Sequence, residues 1–206
     1  MIVIVSISVF IAYKYPRIII ERAEKENETP SLGMWLIFVL AVGLSFVTMV
    51  VRSIQTSWNL EGVIYNIADI IMASSVFTSL MRRTGGKVVF EPYEFFYVLG
   101  AFAICIFWVF SGSAYNTNFL SQVLIVFGYI PTIHKMKRKR RNTESFFIWI
   151  LLFVNGLISI YPAALSGKLE SFIYSVRATI LTFLFLVLMT ILENKSKKIA
   201  ESPRSN

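Results

Sequence analysis

The chain has 206 residues, of which 56% are hydrophobic and only 16% are charged, and its formal net charge is +8 at pH 7. A soluble globular domain rarely has this composition, so we expect an integral membrane protein. One cysteine and one histidine exclude an internal disulfide and the usual thiol or zinc centres, and the sequence contains no phosphate-binding loop. We therefore predict no enzymatic activity, no cofactor and no metal site.

Long uncharged stretches divide the chain into segments of membrane-spanning length. Residues 32–51 contain no charge, and residues 172–192 contain only Arg177. About 20 helical residues at roughly 1.5 Å each cross about 30 Å of hydrocarbon. The first segment has no basic residue in front of it, so we interpret it as a retained helix rather than a signal peptide. The pattern predicts an all-α fold with seven transmembrane segments: 2–20, 32–52, 60–81, 94–112, 118–136, 146–165 and 171–192.

Basic residues are concentrated in alternate loops. If the N-terminus lies outside, 17 of the 20 Lys and Arg residues are on the inside, and the exceptions are Arg52, Lys168 and Arg177. The run KMKRKRR at 135–141 is then a topology anchor and a contact for anionic lipids, rather than a site for nucleic acid. This predicts a multi-pass protein of the plasma membrane or an internal membrane, with the N-terminus outside and the C-terminus inside.

Three short patterns occur twice in the same order. The shift between copies is 115 residues for the first pattern, 114 for the second and 109 for the third, so it changes only in connecting loops. Such a series marks a duplicated structural unit. The pairs are PRI at 16–18 with PTI at 131–133, TxSxxxW at 29–35 with 143–149, and LEGVIY at 60–65 with LESFIY at 169–174.

The duplication predicts two like-facing three-helix units. An odd number of helices per unit would invert the second copy, and the fourth segment restores its orientation. We assign residues 1–81 to the first repeat, 82–117 to a linker helix, 118–194 to the second repeat and 195–206 to a basic cytoplasmic tail. In this 3+1+3 arrangement of parallel bundles, a solute site is expected near the midplane where the repeats meet.

Three polar residues are candidates for binding a solute. Asn66 and its repeat counterpart Ser175 lie in the outer half of the predicted bundle, where an unsatisfied polar group is costly. They should face the interior, either to hydrogen-bond a small polar solute or to join helices. Asn155 has no polar counterpart in the first repeat, and the same two interpretations apply to it.

Two charges lie deep in apolar surroundings. Asp69 and Arg177 are at almost the same depth on equivalent segments, and isolated charges in a membrane usually mark a pathway or a partner. We predict an ion pair across the two repeats, with Asp69 as a candidate for proton coupling.

Two prolines and two tryptophans occupy equivalent positions in the repeats. Pro16 and Pro131 lie near the inside end of the first helix of each unit, where a missing amide hydrogen loosens one helical turn. We predict that they are hinges, with simple helix termini as the alternative. Trp35 and Trp149 are interpreted as anchors at the membrane interface.

The second repeat resembles a PQ-loop repeat over QVLIVFGYIPTIHKMKRKRRNTESFFIWILLFVNGLISIYPAAL, and residues 11–44 resemble it more weakly. Two copies joined by one helix is the layout of the MtN3/saliva (SWEET) sugar transporters. The resemblance implies a facilitator that moves a small polar solute, such as a sugar, by alternating access, with Asn66 as the family's asparagine of the third helix. Amino-acid and nicotinamide riboside transporters of the same layout remain alternatives. A non-transporting membrane adaptor or receptor is a further alternative, and a homo-oligomer is left open.

Overall fold

The structure, a computed structural model, describes residues 2–25, 32–56, 63–83, 85 and 92–201. Within these ranges the chain is helical and contains no strand. The helices are α1 (Ile2–Lys25), α2 (Leu32–Thr56), α3 (Ile64–Arg83), α4 (Pro92–Ser111), α5 (Ala114–Gly128), α6 (Ile130–Lys139), α7 (Phe146–Leu165) and α8 (Leu169–Glu201). Helices α5 and α6 are separated only at Tyr129, so together they correspond to the fifth predicted segment.

Five helical spans are long and apolar enough to cross a membrane: Ile2–Glu21, Gly33–Gln55, Ala114–Lys139, Phe146–Leu165 and Leu169–Lys198. The predicted all-helical class and the multi-pass membrane character are confirmed at this level. Helix α3 is not among the five. The apolar part of α4 is shorter, over Val98–Ser111.

Parts of three predicted features lie outside the described residues. They are the first TxS turn at 29–31, the start of LEGVIY at 60–62 and the end of the basic tail at 202–206. Helix α8 continues to Glu201, beyond the predicted end of its segment at residue 192.

The helices pack in an order that repeats. Helix α3 packs against α1 and α2, and α8 packs against α7 and α5. Between these groups, α2 packs against α5 and α1 packs against α7, while α4 packs against α2 and α5. If α1, α2 and α3 correspond to α5, α7 and α8, then the contact of α2 with α5 corresponds to the contact of α7 with α1.

Helices α7 and α8 approach each other closely at Gly156. A Cβ atom at this position would lie 2.8 Å from Thr179 Oγ1 and 3.3 Å from Thr179 Cα. Small residues permit such contacts between membrane helices, where packing rather than the hydrophobic effect drives association.

Large apolar side chains cover the outside of the bundle. On α4, Phe96, Val109 and Phe110 are 71%, 79% and 86% exposed. Water would disfavour so continuous an apolar surface, whereas lipid chains cover it without cost.

The two predicted hinge prolines differ. Helix α1 continues through Pro16, whereas the helix around Pro131 is interrupted at Tyr129. The ring of Pro131 crowds the carbonyl of Phe127, four residues earlier, and proline donates no amide hydrogen. The ladder resumes where the Ile133 amide donates to the Tyr129 carbonyl at 3.0 Å.

Candidate functional site

A cavity of about 60 Å³ lies where the two groups of helices meet. Its wall combines residues from α1, α2 and α3 with residues from α5, α7 and α8, together with Tyr129 between α5 and α6. The cavity is therefore at the seam on which the duplication predicts a solute site.

Most of the wall consists of residues that the duplication relates. Tyr65 and Tyr174 end the two LExxIY patterns, and Trp35 and Trp149 end the two TxSxxxW patterns. At the same shifts, Phe38 pairs with Leu152, Asp69 with Ala178 and Ala73 with Thr182. Ten of the seventeen lining residues thus form five pairs at the predicted repeat shifts, and the members of three of these pairs differ in residue type.

Five aromatic rings form a connected wall, the aromatic girdle: Tyr15, Trp35, Phe38, Tyr129 and Trp149. Their successive ring centroids are 5.2, 5.8, 5.3 and 5.8 Å apart. These separations are typical of favourable aromatic pairs, so the rings hold one another in place.

Glu144 closes the girdle into a ring. The Tyr15 hydroxyl donates to Glu144 Oε2 at 2.8 Å, and the Trp149 indole Nε1 donates to the same oxygen at 3.3 Å. Tyr15 is on α1 and Trp149 is on α7. One carboxylate from the loop between α6 and α7 therefore joins these two helices.

The interpretation of Trp35 and Trp149 as interface anchors is wrong. Both are only 5% exposed, and both line the cavity. An indole needs a partner for its N–H group when it is buried, and Glu144 supplies that partner to Trp149 inside the bundle.

The structure brings Asp69 and Arg177 into the same cavity. Tyr174 contacts both charges, since its hydroxyl donates to Asp69 Oδ2 at 2.7 Å and the Arg177 Cζ atom lies 4.6 Å from its ring centroid. Among the described residues the two charges share this tyrosine instead of forming a direct ion pair. The buried Nε of Arg177 has no hydrogen-bond partner in that part of the chain, so a donor stays available at the cavity.

The three polar candidates are buried but do not line this cavity. Asn66 Nδ2 donates to Ser45 Oγ at 3.0 Å and contacts Met49 Sδ at 2.9 Å, both on α2. Asn155 Nδ2 donates to Ser8 Oγ on α1 at 2.8 Å. Ser175 lies on α8, where its carbonyl accepts from the Thr179 hydroxyl. In this structure the two asparagines join helices, which is the alternative that the sequence left open.

The sequence contained a signal for some of the cavity residues. Tyr65, Tyr174, Trp35 and Trp149 belong to the repeated patterns, so the repetition itself marked them. No such signal existed for the contact between Tyr15 and Glu144, because 129 positions separate the two residues.

Within the described residues, no group of three or more His, Cys, Asp or Glu side chains could hold a metal ion. Comparison of the chain with protein-family models, with curated proteins and with solved structures finds no match. The likeness to PQ-loop proteins therefore rests on the repeated motifs alone.

Proposed function

We propose that this protein is a facilitator that moves a small polar solute across a membrane by alternating access between two three-helix repeats. The first repeat comprises α1 to α3, the second comprises α5 to α8 with α5 and α6 as one span, and α4 links them. The repeated packing order supports this 3+1+3 arrangement, because parallel units related by an axis along the membrane normal make equivalent contacts.

One observation carries the proposal: both intramembrane charges face a single cavity between the repeats, and related residues of the two repeats line it. A bundle that only had to fold would gain little from burying charges at its seam, since isolated charges are expensive in a membrane. A solute site explains them, because a polar solute can use the charges while it is shielded from lipid.

The structure corresponds to a closed conformer in this proposal. Pockets that hold small molecules usually measure about 300–1,000 Å³, and this cavity has a volume of about 60 Å³. A sugar or an amino acid therefore requires the repeats to separate. The interruption at Tyr129 favours Pro131 as one hinge, and Pro16 is its proposed counterpart in an unbroken helix.

We propose that the N-terminus lies outside, because most of the basic residues are then on the inside. Helix α6 ends with Lys137, Arg138 and Lys139, followed by Arg140 in a left-handed conformation with φ of 53°. The turn exposes several cationic side chains at one membrane face, where anionic lipids are the proposed contact.

A second candidate solute is a vitamin-like compound with a flat ring, such as nicotinamide riboside. Seven aromatic residues line the cavity: the five of the girdle, together with Tyr65 and Tyr174. Planar rings and sugar rings both stack favourably on such surfaces.

Uptake by purified protein in proteoliposomes tests the proposal. We expect one member of a panel of labelled sugars, amino acids and nicotinamide riboside to equilibrate faster than in protein-free liposomes. Asp69→Asn should lower that uptake by about tenfold or more, which corresponds to roughly 1.4 kcal/mol of lost stabilisation. Thr78→Val, on the exposed face of the same helix, should leave uptake unchanged.

Two results would count against the proposal. A folded protein that equilibrates no member of the panel would favour the adaptor alternative. Uptake at the wild-type rate by Asp69→Asn would remove this carboxylate from the site.

A further inference from the structure

A second, smaller cavity lies along the same seam. It has a volume of about 10 Å³ and is lined by residues of α2, α5 and the start of α8, including Thr48, Ser53, Asn118 and Ser171. Arg52, Lys168 and Glu170 also line this smaller cavity, and we term this end of the seam the Glu170 end. Helices α2 and α8 contribute to both cavities, so they connect one to the other.

A row of buried hydroxyl groups follows α8 from the smaller cavity to the larger. Ser171 lines the smaller cavity, Ser175 and Thr179 follow at intervals of one helical turn, and Thr182 lines the larger cavity. Residues three or four positions apart share one face of a helix. These four side chains are at most 8% exposed, so the row lies inside the bundle.

Helix α2 carries a matching row. Ser53 and Thr48 line the smaller cavity, Ser45 lies about one turn further along, and Val42 lines the larger cavity. The three hydroxyl residues are at most 2% exposed. We term these two rows of residues together the polar passage.

Three carboxamides add to the polar passage from α3 and α5. Asn66, Asn118 and Gln122 each donate to Ser45 Oγ, at 3.0, 3.1 and 2.8 Å. One hydroxyl oxygen has two lone pairs, so it cannot accept three full hydrogen bonds at once. The three carboxamide groups therefore cannot all make full hydrogen bonds to Ser45 Oγ at the same time.

Several buried polar atoms of the polar passage have no partner among the described residues. They are Asn66 Oδ1, Gln122 Oε1 and Ser171 Oγ, and their side chains are 1%, 4% and 1% exposed. A buried polar atom without a partner is costly, and a water molecule or a polar solute can supply the missing hydrogen bond. Ser171 lines the smaller cavity, which places one such atom at the start of the route.

The opposite side of the larger cavity has a different composition. The aromatic girdle lies there, backed by apolar residues that include Leu80, Met136, Phe185 and Met189. The aliphatic side chains there offer no hydrogen bonds, and the Tyr15 and Trp149 donors of the girdle are already bonded to Glu144. Polar lining is thus concentrated between the larger cavity and the Glu170 end.

Cross-seam contacts close the polar passage. Arg52 on α2 forms an ion pair with Glu170 on α8, and Glu170 is only 7% exposed. Lys168 Nζ donates to Ser53 Oγ at 2.9 Å. Each contact joins a residue of the first repeat to one of the second, so separating the repeats at this end breaks both.

We infer that the polar passage is the route by which the solute reaches the larger cavity, and that the Arg52–Glu170 pair is the closure at its mouth. This inference rests on the proposed function and specifies its route. The passage suits a solute that exchanges hydrogen bonds with hydroxyl and carboxamide groups as it moves. Tyr65 and Tyr174, whose centroids are 5.6 Å apart, are the wall residues of the larger cavity that lie nearest this end along α3 and α8.

Cysteine accessibility tests this route. The chain has a single cysteine, so Cys105→Ala gives a background without thiols. Thr48→Cys and Ser175→Cys are then treated, in sealed vesicles, with a methanethiosulfonate reagent that does not cross membranes. Ser166→Cys, in the turn between α7 and α8, identifies the membrane face of the Glu170 end.

We expect Thr48→Cys and Ser175→Cys to react only from the face at which Ser166→Cys reacts. Adding Glu170→Gln should accelerate both reactions by about twofold to tenfold, because it removes the carboxylate of an ion pair that is buried only on the Glu170 side and that joins α2 to α8. The control is Ser8→Cys, which replaces a buried serine that pairs with Asn155 between α1 and α7 and lines neither cavity. It should stay unreactive in both backgrounds.

Two outcomes overturn the inference. In the first, Thr48→Cys and Ser175→Cys both stay unreactive from that face, even with Glu170→Gln, in protein that elutes as a folded species. In the second, Ser8→Cys reacts as fast as the two passage cysteines. Uptake in the same vesicles separates this result from the proposed function. Uptake without labelling refutes the route and keeps the transporter. Labelling without uptake of any solute refutes the transporter and keeps the passage.

Discussion

Replacing Glu144 by alanine should destabilise the bundle through two buried donors. Tyr15 has 0% exposure and Trp149 has 5%, and each donates to the same carboxylate oxygen. A hydrogen bond to a charged group contributes about 1.5–3 kcal/mol, and the longer bond from Trp149 should lie at the low end. Because Glu144 is partly exposed, water recovers some of this loss, which leaves a cost of about 2–4 kcal/mol.

The assay is thermal unfolding of the purified protein in detergent, followed by tryptophan fluorescence. By the scaling of soluble domains of similar length, a loss of about 2–4 kcal/mol lowers the melting temperature by roughly 4–16 °C. Glu144→Gln keeps a neutral acceptor oxygen and should lose less. Glu21→Ala removes an exposed carboxylate from α1 and should leave the melting temperature unchanged.

A double-mutant cycle makes the test specific to the hydrogen bonds that Glu144 accepts. Tyr15→Phe removes one of the two bonds, so its effect and that of Glu144→Ala should not add. Strict additivity, or an unchanged melting temperature in Glu144→Ala, would refute the argument that this carboxylate holds the two repeats together.

Two further substitutions have matched controls in the other repeat. Tyr174→Phe removes the hydroxyl that donates to Asp69 at 2.7 Å, so we expect reduced solute uptake and a loss of about 1.5–3 kcal/mol in unfolding free energy. Tyr65→Phe should change both quantities less. Equal effects in the two variants would contradict this asymmetry. Gly156→Ala places a Cβ atom 2.8 Å from a side-chain atom of α8 and 3.3 Å from its backbone, so overpacking should cost about 1–3 kcal/mol in thermal or detergent unfolding. Gly43→Ala meets its nearest neighbour at 3.5 Å and should be tolerated, and a tolerated Gly156→Ala would show that α7 and α8 do not pack as closely as described.

Several features followed from local sequence because their physical causes are local. Membrane-spanning length depends on a run of apolar residues, so the helical class and five spans could be predicted before any packing was known. That Asp69 and Arg177 lie at a similar level of the bundle also followed, since position along a helix axis is proportional to residue number, and both line one cavity. The interruption before Pro131 has the same origin, because proline acts on the turn that precedes it.

Other predictions needed information that a single helix does not carry. Position near a helix end favoured the membrane interface for Trp35 and Trp149, but the rotation of α2 and α7 about their axes directs both indoles to the cavity. The polar character of Asn66 predicted an inward side chain, but only the neighbouring helix decided that its partner is Ser45. A residue's depth is set by the sequence, whereas its direction depends on which helices pack beside it.

The sequence by itself determined that the chain forms helices long and apolar enough to cross a membrane, and its repeated motifs are the basis on which we propose two related units with equivalent tyrosines and tryptophans. Tertiary structure decided what those positions face. It placed Tyr174 between Asp69 and Arg177, and it brought Glu144 to Tyr15 across 129 residues. The physical reason is that hydrophobic length and repetition are properties of the chain alone. A shared hydrogen bond or a common cavity exists only when separate helices pack with a particular rotation and register.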